Sequence, residues 1–241
     1  MGTAKKYKLT DETIQVGGHT LHRIEALKDF GNVKKGDKGG FIEKEDNLSQ
    51  DGDCWVYNNA KVFSNAVVSN DALVAGNAQV YDKARVFGEA LVWSNAEVYD
   101  NAIVYDNAEV YGDAVISEDA RVCKDARVCG DARVLGNASI CGNAKVCGNT
   151  RVSGDARVYG NATLCGDAKV AGASDYIVFK NWWSSGRYFT WTRSNNMWKV
   201  GCFYGTGEEL IAEAYRDSKI SGREYERVVK YVESILKDSK K

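Results

Sequence analysis

Basic side chains recur at multiples of six residues between positions 121 and 170, where 8 basic residues outnumber 4 acidic ones. Guanidinium groups bind phosphate oxygens in two-pronged pairs, and an aromatic ring beside them can stack on a base. We assign an anionic, nucleotide-like ligand at a groove between subunits to Arg133, Arg151, Arg157, Lys169 and Tyr159. The alternative is a solvated face that corner aspartates such as Asp125, Asp131 and Asp155 neutralise.

General acid–base chemistry has few candidates. The chain has 2 histidines, His19 and His22, and both precede the basic stretch. Acyl transfer needs a base beside the acceptor group, so this chemistry requires one of them. The alternative is a pair of structural histidines in a β-hairpin.

Cysteines are the third set of reactive residues. The chain has 7 of them, an odd number, and residues 1–10 are basic without the apolar core of a signal peptide. This pattern predicts reduced thiols in the cytoplasm. The thiols lack the short spacing and the histidines of a zinc site, so we expect no metal and no cofactor. The glycine-rich loop 34–40 could cradle a phosphate, but it departs from the P-loop order and is also compatible with a plain turn.

A six-residue repeat must position these groups. From about Asp53 to Val170 an aliphatic residue occupies every sixth position for 20 hexads, and a small residue, almost always Ala, stands two positions before it. Side chains alternate along a strand, so Ala and the aliphatic residue point inward and the other two point outward. Gly, Asn and Asp at the remaining positions suit sharp corners. The pattern predicts a solenoid with three short sides per coil.

The hexad, as in Ala132-Arg133-Val134-Leu135-Gly136-Asn137, resembles the hexapeptide repeat of left-handed β-helix proteins. This resemblance implies coils of three hexads, about 4.8 Å apart, and nearly seven of them. The flanking segments are similar to uncharacterised bacterial and prophage members that are often labelled transferases by fold analogy. Members with acyltransferase activity usually use a histidine beside a protruding loop, whereas no loop interrupts the hexads here.

We predict three domains: an N-terminal β-hairpin with an irregular first coil (1–52), the β-helix (53–172) and a C-terminal α+β cap (173–241). Gly17-Gly18 marks the hairpin turn. In the cap we predict strands over 176–180, 188–192 and 198–203, followed by two helices. Capping boxes at Thr206/Glu209 and Ser221/Glu224 open these helices. The predicted core of the cap comprises Trp182, Trp183, Trp191 and Trp198.

Large aromatic side chains stack at intervals of eighteen residues, with Trp55 and Tyr57 at the start of one outer column. Exposed columns of this length favour an interface, although β-propensity alone also places aromatic residues on sheets. We predict a homo-oligomer, a trimer or a dimer, with the interface residues Trp93, Tyr99, Tyr105, Tyr111 and Leu91.

The net charge is −1, and no apolar run is long enough to cross a bilayer, so we expect neither membrane nor sequence-specific nucleic acid as a partner. The sequence favours a non-enzymatic, phage-type β-helix binding protein. It would capture the anionic ligand or a host protein, including a role against host defence. The alternatives are a structural assembly module and an acyl-coenzyme-dependent transferase.

Overall fold

An antiparallel hairpin begins the fold. The computed structural model of the chain describes residues 5–183 and 185–238. Strands β1 (Tyr7–Val16) and β2 (His19–Ala26) pair across a turn at Gly17 and Gly18, and β3 (Lys38–Ile42) pairs antiparallel with β2. The predicted hairpin is confirmed.

The hairpin leads into an irregular first coil. Ile42 of β3 pairs in parallel with Val62, and Leu48 forms a bridge to Val68. A 3₁₀ helix, Glu45–Asn47, lies between these two contacts. Successive aliphatic residues are further apart in the sequence of this coil than in the regular hexads, as is typical of a terminal repeat.

Trp55 is buried, although its outward hexad position predicts an exposed side chain. Its side chain is 1% exposed because the N-terminal segment covers it. The ring of Phe30 packs edge-on against it at 5.3 Å and that of Tyr7 at 6.1 Å. The prediction that Trp55 belongs to an exposed column is therefore wrong.

Twenty two-residue strands form the solenoid, and each consists of one outward residue followed by the buried aliphatic residue. They are β4 (Trp55–Val56), β5 (Lys61–Val62), β6 (Val67–Val68), β7 (Leu73–Val74), β8 (Gln79–Val80), β9 (Arg85–Val86), β10 (Leu91–Val92), β11 (Glu97–Val98), β12 (Ile103–Val104), β13 (Glu109–Val110), β14 (Val115–Ile116), β15 (Arg121–Val122), β16 (Arg127–Val128), β17 (Arg133–Val134), β18 (Ser139–Ile140), β19 (Lys145–Val146), β20 (Arg151–Val152), β21 (Arg157–Val158), β22 (Thr163–Leu164) and β23 (Lys169–Val170).

These strands stack into three parallel sheets. Face 1 contains β5, β8, β11, β14, β17, β20 and β23, which join β1–β3 in a ten-stranded sheet. Face 2 contains β6, β9, β12, β15, β18 and β21, and face 3 contains β4, β7, β10, β13, β16, β19 and β22. Every third strand therefore pairs, so a coil comprises three hexads, as predicted. The left-handed sense of the coil stays a prediction.

The core is a column of small and aliphatic side chains. From Ala60 to Leu164 nearly every inward Ala, Val, Ile and Leu is fully buried. Thr150, which replaces an Ala, is also buried, and its hydroxyl donates to the Cys147 carbonyl at 2.7 Å. Burial of one aliphatic side chain stabilises the fold by roughly 1.5–3 kcal/mol. The repeat therefore stabilises the rod along its whole length.

Corners require left-handed backbone. Asn58 adopts a φ of 56° and Gly112 a φ of 76°. A Cβ at Gly112 would lie 2.8 Å from the Gly130 amide nitrogen of the next coil, which only glycine avoids. Corner amides also bond along the axis, as where Asn95 Nδ2 donates to Asp113 Oδ1 at 2.9 Å.

A four-stranded antiparallel sheet and two helices follow the solenoid. They are β24 (Tyr176–Lys180), β25 (Tyr188–Thr192), β26 (Met197–Val200), β27 (Phe203–Gly205), α1 (Gly207–Asp217) and α2 (Lys219–Asp238), after a short 3₁₀ helix, Ala173–Asp175. The predicted single strand over 198–203 is wrong, because a turn at Gly201, with a φ of 57°, divides it.

The first predicted capping box is confirmed and the second is wrong. Thr206 Oγ1 accepts from the Glu209 amide at 3.2 Å, and Glu209 accepts in return from the Thr206 amide at 2.8 Å. Ser221 lies inside α2, and its amide donates to Ser218 Oγ at 3.0 Å. The serine between the two helices therefore caps α2.

Trp191 and Trp198 are buried in the core of the cap with Phe189, as predicted, and Trp183 packs against that core. Trp182 was predicted to join them, but it is 82% exposed because it lies in the turn after β24. The helix α2 buries one side, with Val229 and Val232. None of the helices in the described residues is long and apolar enough to cross a bilayer.

Candidate anion-binding cleft

The predicted anion-binding residues divide between two faces. Arg133, Arg151 and Lys169 are cross-strand neighbours on face 1, and we call them the cation ladder. Arg157 and Tyr159 lie on face 2, and Tyr159 is 46% exposed. Within one chain the five residues therefore lie on two faces, and their meeting at a groove between subunits stays a prediction. No carboxylate among the described residues pairs with the three cations of the ladder.

A different set of basic residues surrounds a concavity of about 530 Å³ between face 3 and the C-terminal sheet. We call it the cleft. Its lining comprises Asp125, Arg127, Asn143, Lys145, Asn161 and Thr163 from the solenoid, with Arg187, Tyr188, Lys199 and Gly201 from the cap. Two separate parts of the chain thus contribute two basic side chains each.

Hydrogen bonds to the last coil fix the position of the cap. The amide of Thr163 donates to Thr190 Oγ1 at 2.9 Å, and that of Lys169 donates to Ser194 Oγ at 2.7 Å. The hydroxyl of Tyr176 donates to the Arg157 carbonyl at 2.8 Å. These bonds satisfy the open edge of the solenoid, as predicted. They also bring β25, which follows Arg187, and β26, which contains Lys199, beside face 3.

The charges in the cleft are incompletely compensated. Arg127 Nη2 lies 3.1 Å from Glu109 Oε1, which neutralises one of the four cations. In the described part of the chain no carboxylate pairs with Lys145, Arg187 or Lys199, and Asp125 is the one acidic residue of the lining. Lys199 Nζ donates to the Cys202 carbonyl at 3.3 Å, a contact that orients the ammonium group without neutralising it. The cleft therefore favours a negatively charged occupant.

None of the five ligand residues predicted from the sequence lines the cleft. Arg127 and Lys145 belong to the same series of basic residues as the cation ladder, but their selection required the position of the cap. Arg187 and Lys199 lie in a non-repetitive segment, where no spacing rule relates them to the solenoid. The available signal was their position on predicted strands, since Arg187 directly precedes the strand over 188–192 and Lys199 lies in the segment 198–203.

A smaller concavity of about 400 Å³ lies beside His19 near the start of the solenoid. His19 Nδ1 lies 2.9 Å from Glu43 Oε1, and the Ser64 amide donates to Glu43 Oε2 at 2.6 Å. The hydrogen bond with His19 holds the pKa of Glu43 below its usual value, with a further contribution from Ser64. His22 Nδ1 lies 3.1 Å from the Thr10 carbonyl oxygen. Both histidines lie in the hairpin, as the structural alternative predicted, but His19 also has a carboxylate partner.

The glycine-rich loop 34–40 does not offer its amides to a phosphate. The Lys34 amide donates to Asp37 Oδ2 at 2.8 Å, and the Lys35 amide donates to Asp29 Oδ1 at 2.9 Å. Carboxylates of the chain itself thus occupy the donors that an anion would need. Among the described residues no group of three or more His, Cys, Asp and Glu side chains is placed to hold a metal ion.

The predicted interface residues also lie on more than one face. Leu91, Trp93 and Tyr111 share face 3, where Trp93 is 40% exposed and its ring stacks on that of Tyr111 at 4.6 Å. Tyr99 stacks on Tyr81 of face 1 at 4.9 Å. Tyr105 stacks on Phe87 of face 2 at 5.2 Å.

Comparison with known proteins supports the repeat. Residues 126–142 and 150–166 match the model of the YdcK β-solenoid repeat. The chain is a β-solenoid repeat protein. It is similar to the Uncharacterized acetyltransferase YdcK of Escherichia coli (strain K12), with 35% identity over 66 residues. That alignment covers 24% of this chain and 20% of the relative. The two matched segments include Arg127 and Thr163 of the cleft.

Proposed function

We propose that this β-solenoid binds a phosphate-bearing small molecule in the cleft between face 3 and the C-terminal sheet. The observation that supports it most is the convergence of Arg127 and Lys145 with Arg187 and Lys199 on one concavity. Lys145, Arg187 and Lys199 have no carboxylate partner among the described residues, and an anion would offset their mutual repulsion. The proposal keeps the anionic ligand predicted from the sequence and assigns it to different residues.

The dimensions and the polar groups of the cleft suit a ligand of nucleotide size. Its volume of about 530 Å³ falls within the range of roughly 300–1,000 Å³ that is common for small-molecule sites. The amides of Asn143 and Asn161 can donate to oxygen atoms, and the ring of Tyr188 adds an apolar surface. The open cation ladder of face 1 has charge but no such enclosure.

Calorimetry with a panel of anions tests this proposal. The panel comprises nucleoside mono-, di- and triphosphates, cyclic nucleotides, inorganic pyrophosphate and acyl-coenzyme A. We expect saturable binding of at least one member. Lys199→Ala should weaken it about ten- to a hundredfold, which corresponds to the roughly 1.5–3 kcal/mol of a charge-assisted contact.

Lys169→Ala is the matched control, because it removes the same charge from the cation ladder while leaving the cleft intact. We expect it to change the affinity less than about threefold, through long-range charge alone. The proposal is wrong if no anion of the panel binds at millimolar concentration, or if the two lysine variants weaken binding equally.

Acyl transfer is the second candidate, and one observation favours it: His19 lies 2.9 Å from the carboxylate of Glu43 beside an open concavity. A carboxylate orients an imidazole and stabilises its protonated form, as a general base requires. The similarity to a protein named as an acetyltransferase supports this candidate over a minor part of the chain.

Turnover of acyl-coenzyme A with a panel of amine and hydroxyl acceptors tests the second candidate. We expect His19→Ala to abolish turnover and His22→Ala to preserve it, because His22 contacts a backbone carbonyl instead of a carboxylate. Binding of acyl-coenzyme A without turnover would support the cleft and contradict acyl transfer.

We also propose a homo-oligomer that buries the cluster of Leu91, Trp93 and Tyr111 on face 3, which narrows the predicted interface to one surface. Light scattering at high micromolar concentration should give a multiple of 26.5 kDa. Trp93→Glu should shift the protein towards the monomer, because it places a charge in an apolar contact. A monomeric mass for the unaltered protein would contradict the proposal. The phage-type role against host defence stays a prediction.

A further inference from the structure

Five of the cysteines lie in two outer columns of the solenoid. Cys123 and Cys141 follow one another on face 2, whereas Cys129, Cys147 and Cys165 follow one another on face 3. All are free thiols in this structure. Each occupies the outward position after the buried aliphatic residue, so the repeat itself aligns them.

The parallel register brings two pairs of thiols into contact. The Sγ atoms of Cys147 and Cys165 lie 2.6 Å apart, and those of Cys123 and Cys141 lie 2.7 Å apart. The Cys147 amide donates to the Leu164 carbonyl at 2.9 Å, which fixes the two cysteine backbones side by side. Neighbouring strands about 4.8 Å apart fall within the Cα separation of roughly 4.4–6.8 Å that a disulfide needs. A disulfide bond between the two cysteines of a pair can therefore form without movement of the core.

The two pairs differ in their electrostatic environment. The hydrogen bond between the two thiols lowers the pKa of Cys165, and the Lys199 ammonium adds to this effect. The same hydrogen bond, with burial, raises the pKa of Cys147. Burial and the contact with Cys141 raise the pKa of Cys123 to about 11. Near neutral pH the face 3 pair therefore has the larger thiolate fraction.

We propose that Cys147 and Cys165 form a redox-active dithiol that reduces small anionic disulfides such as oxidised glutathione. This inference does not depend on the anion-binding function of the cleft. Lys145 and Lys199, which line the cleft, also lie near the two thiols and attract a negatively charged reagent.

The reaction has two balanced steps. The Cys165 thiolate attacks one sulfur of the small disulfide, a mixed disulfide forms, and the first small thiolate leaves. Cys147 then loses its proton and attacks Cys165 Sγ, which releases the second small thiolate. The protein gives up two electrons and two protons and gains one disulfide, and the oxidant becomes two thiols.

Tryptic peptide mapping identifies the product, because each cysteine of the two columns lies on its own tryptic peptide. Cleavage after Lys145 and Arg151 releases Cys147, and cleavage after Arg157 and Lys169 releases Cys165. The native protein is incubated with oxidised glutathione at pH 7 and its remaining thiols are blocked with N-ethylmaleimide. We expect the cross-linked peptides 146–151 and 158–169 to appear at least about tenfold faster than a Cys123–Cys141 cross-link.

Variants separate the attacking sulfur from the resolving one. Cys147→Ser should leave a stable glutathione adduct on Cys165, whereas Cys165→Ser should slow modification of the pair by about tenfold or more. Cys202→Ser is the control, since this exposed thiol has no cysteine neighbour and its loss should not affect the cross-link. Serine is tolerated at this hexad position, as Ser117 and Ser153 show on face 1.

Two results would overturn the proposal. One is a wild-type protein that forms only mixed disulfides with glutathione and no internal cross-link. The other is a Cys147→Ser protein, folded by circular dichroism, in which Cys165 stays unmodified while Cys202 reacts.

Discussion

Residues 53–120 and 121–170 build the same coil from different outer residues. The first half has 11 acidic and 3 basic side chains, and stacked aromatic rings such as Trp93 on Tyr111 cover its faces. The second half has 4 acidic and 8 basic side chains, and cysteines replace the aromatic residues in two columns. Both halves have the same fully buried core. The buried core therefore does not determine which residue types occupy the outer positions. The reactive groups are concentrated in the half that contacts the C-terminal cap.

Substitutions in the core test whether the buried aliphatic residues of the two halves contribute equally to stability. Val104→Asp and Val146→Asp each place a carboxylate among buried aliphatic side chains with no cation to pair with it. We expect each to cost about 3–5 kcal/mol of unfolding free energy, measured by urea denaturation.

Ile103→Asp is the matched control, because Ile103 lies next to Val104 but points outward between Arg85 and Arg121. We expect it to cost less than about 1 kcal/mol. Equal losses at positions 103 and 104 would contradict the assignment of inward and outward residues.

The junction between the halves should be sensitive to alkali. Hydrogen bonds with Cys123 and Cys129, together with burial, raise the pKa of Tyr105 and of Tyr111 to about 12. The unfolded chain has an ordinary tyrosine pKa of about 10. The protonated phenols therefore contribute fully to the free energy of unfolding below pH 10. This contribution is lost as the pH rises from about 10 to about 12.

Thermal melts between pH 9 and pH 12 measure this effect. The double variant Tyr105→Phe, Tyr111→Phe should lose less stability over that interval than the unaltered protein. Tyr231→Phe, which removes an exposed hydroxyl of α2, should behave like the unaltered protein. If the melting temperature of the double variant falls with pH as steeply as that of the unaltered protein, Tyr105 and Tyr111 do not cause the sensitivity to alkali.

A substitution in the cation ladder of the second half should produce the smallest change in stability. Arg151 lies between Arg133 and Lys169 with no carboxylate partner in the described residues. Like charges directly opposite one another destabilise a sheet by roughly 0.2–1 kcal/mol. We expect Arg151→Gln to stabilise the fold by a few tenths of a kcal/mol at low salt, and salt above about 0.5 M should remove the gain.

Arg85→Gln in the first half should not stabilise the protein, because the neighbours of Arg85 on face 2 are Val67 and Ile103. Its guanidinium also lies 5.3 Å from the ring centre of Phe87, a favourable contact. A gain at Arg85 equal to that at Arg151 would show that the ladder is not the source of repulsion.

The repetitive part of the fold was predictable because one local rule determines each hexad. Inward Ala and Val, corner Gly and Asn, and even the substitute Thr150 follow directly from strand alternation and corner geometry. Trp55 broke the rule because a segment outside the repeat covers it. Trp182 and Ser221 were misassigned because turns and helix starts in the cap depend on how the cap packs.

The candidate site lies where the repetitive and non-repetitive parts meet, which explains why sequence reasoning alone could not locate it. Sequence periodicity identified the basic columns but gave no means to rank Arg127 and Lys145 above Arg133 and Arg151. That ranking follows from enclosure by β25 and β26. The docking bonds that create the enclosure, such as that of the Thr163 amide with Thr190, join residues with no periodic relation.

The most direct measurement compares two double variants that lose the same charge. Arg187→Ala, Lys199→Ala removes two cations from the cleft, and Arg151→Ala, Lys169→Ala removes two from the cation ladder. The affinity for the tightest anion of the panel is measured for each by calorimetry at 50 mM and 300 mM salt. We expect the cleft variant to bind at least about a hundredfold more weakly, and the ladder variant to stay within about threefold of the unaltered protein. The reverse order, or equal losses that salt abolishes in both, would contradict a binding site in the cleft.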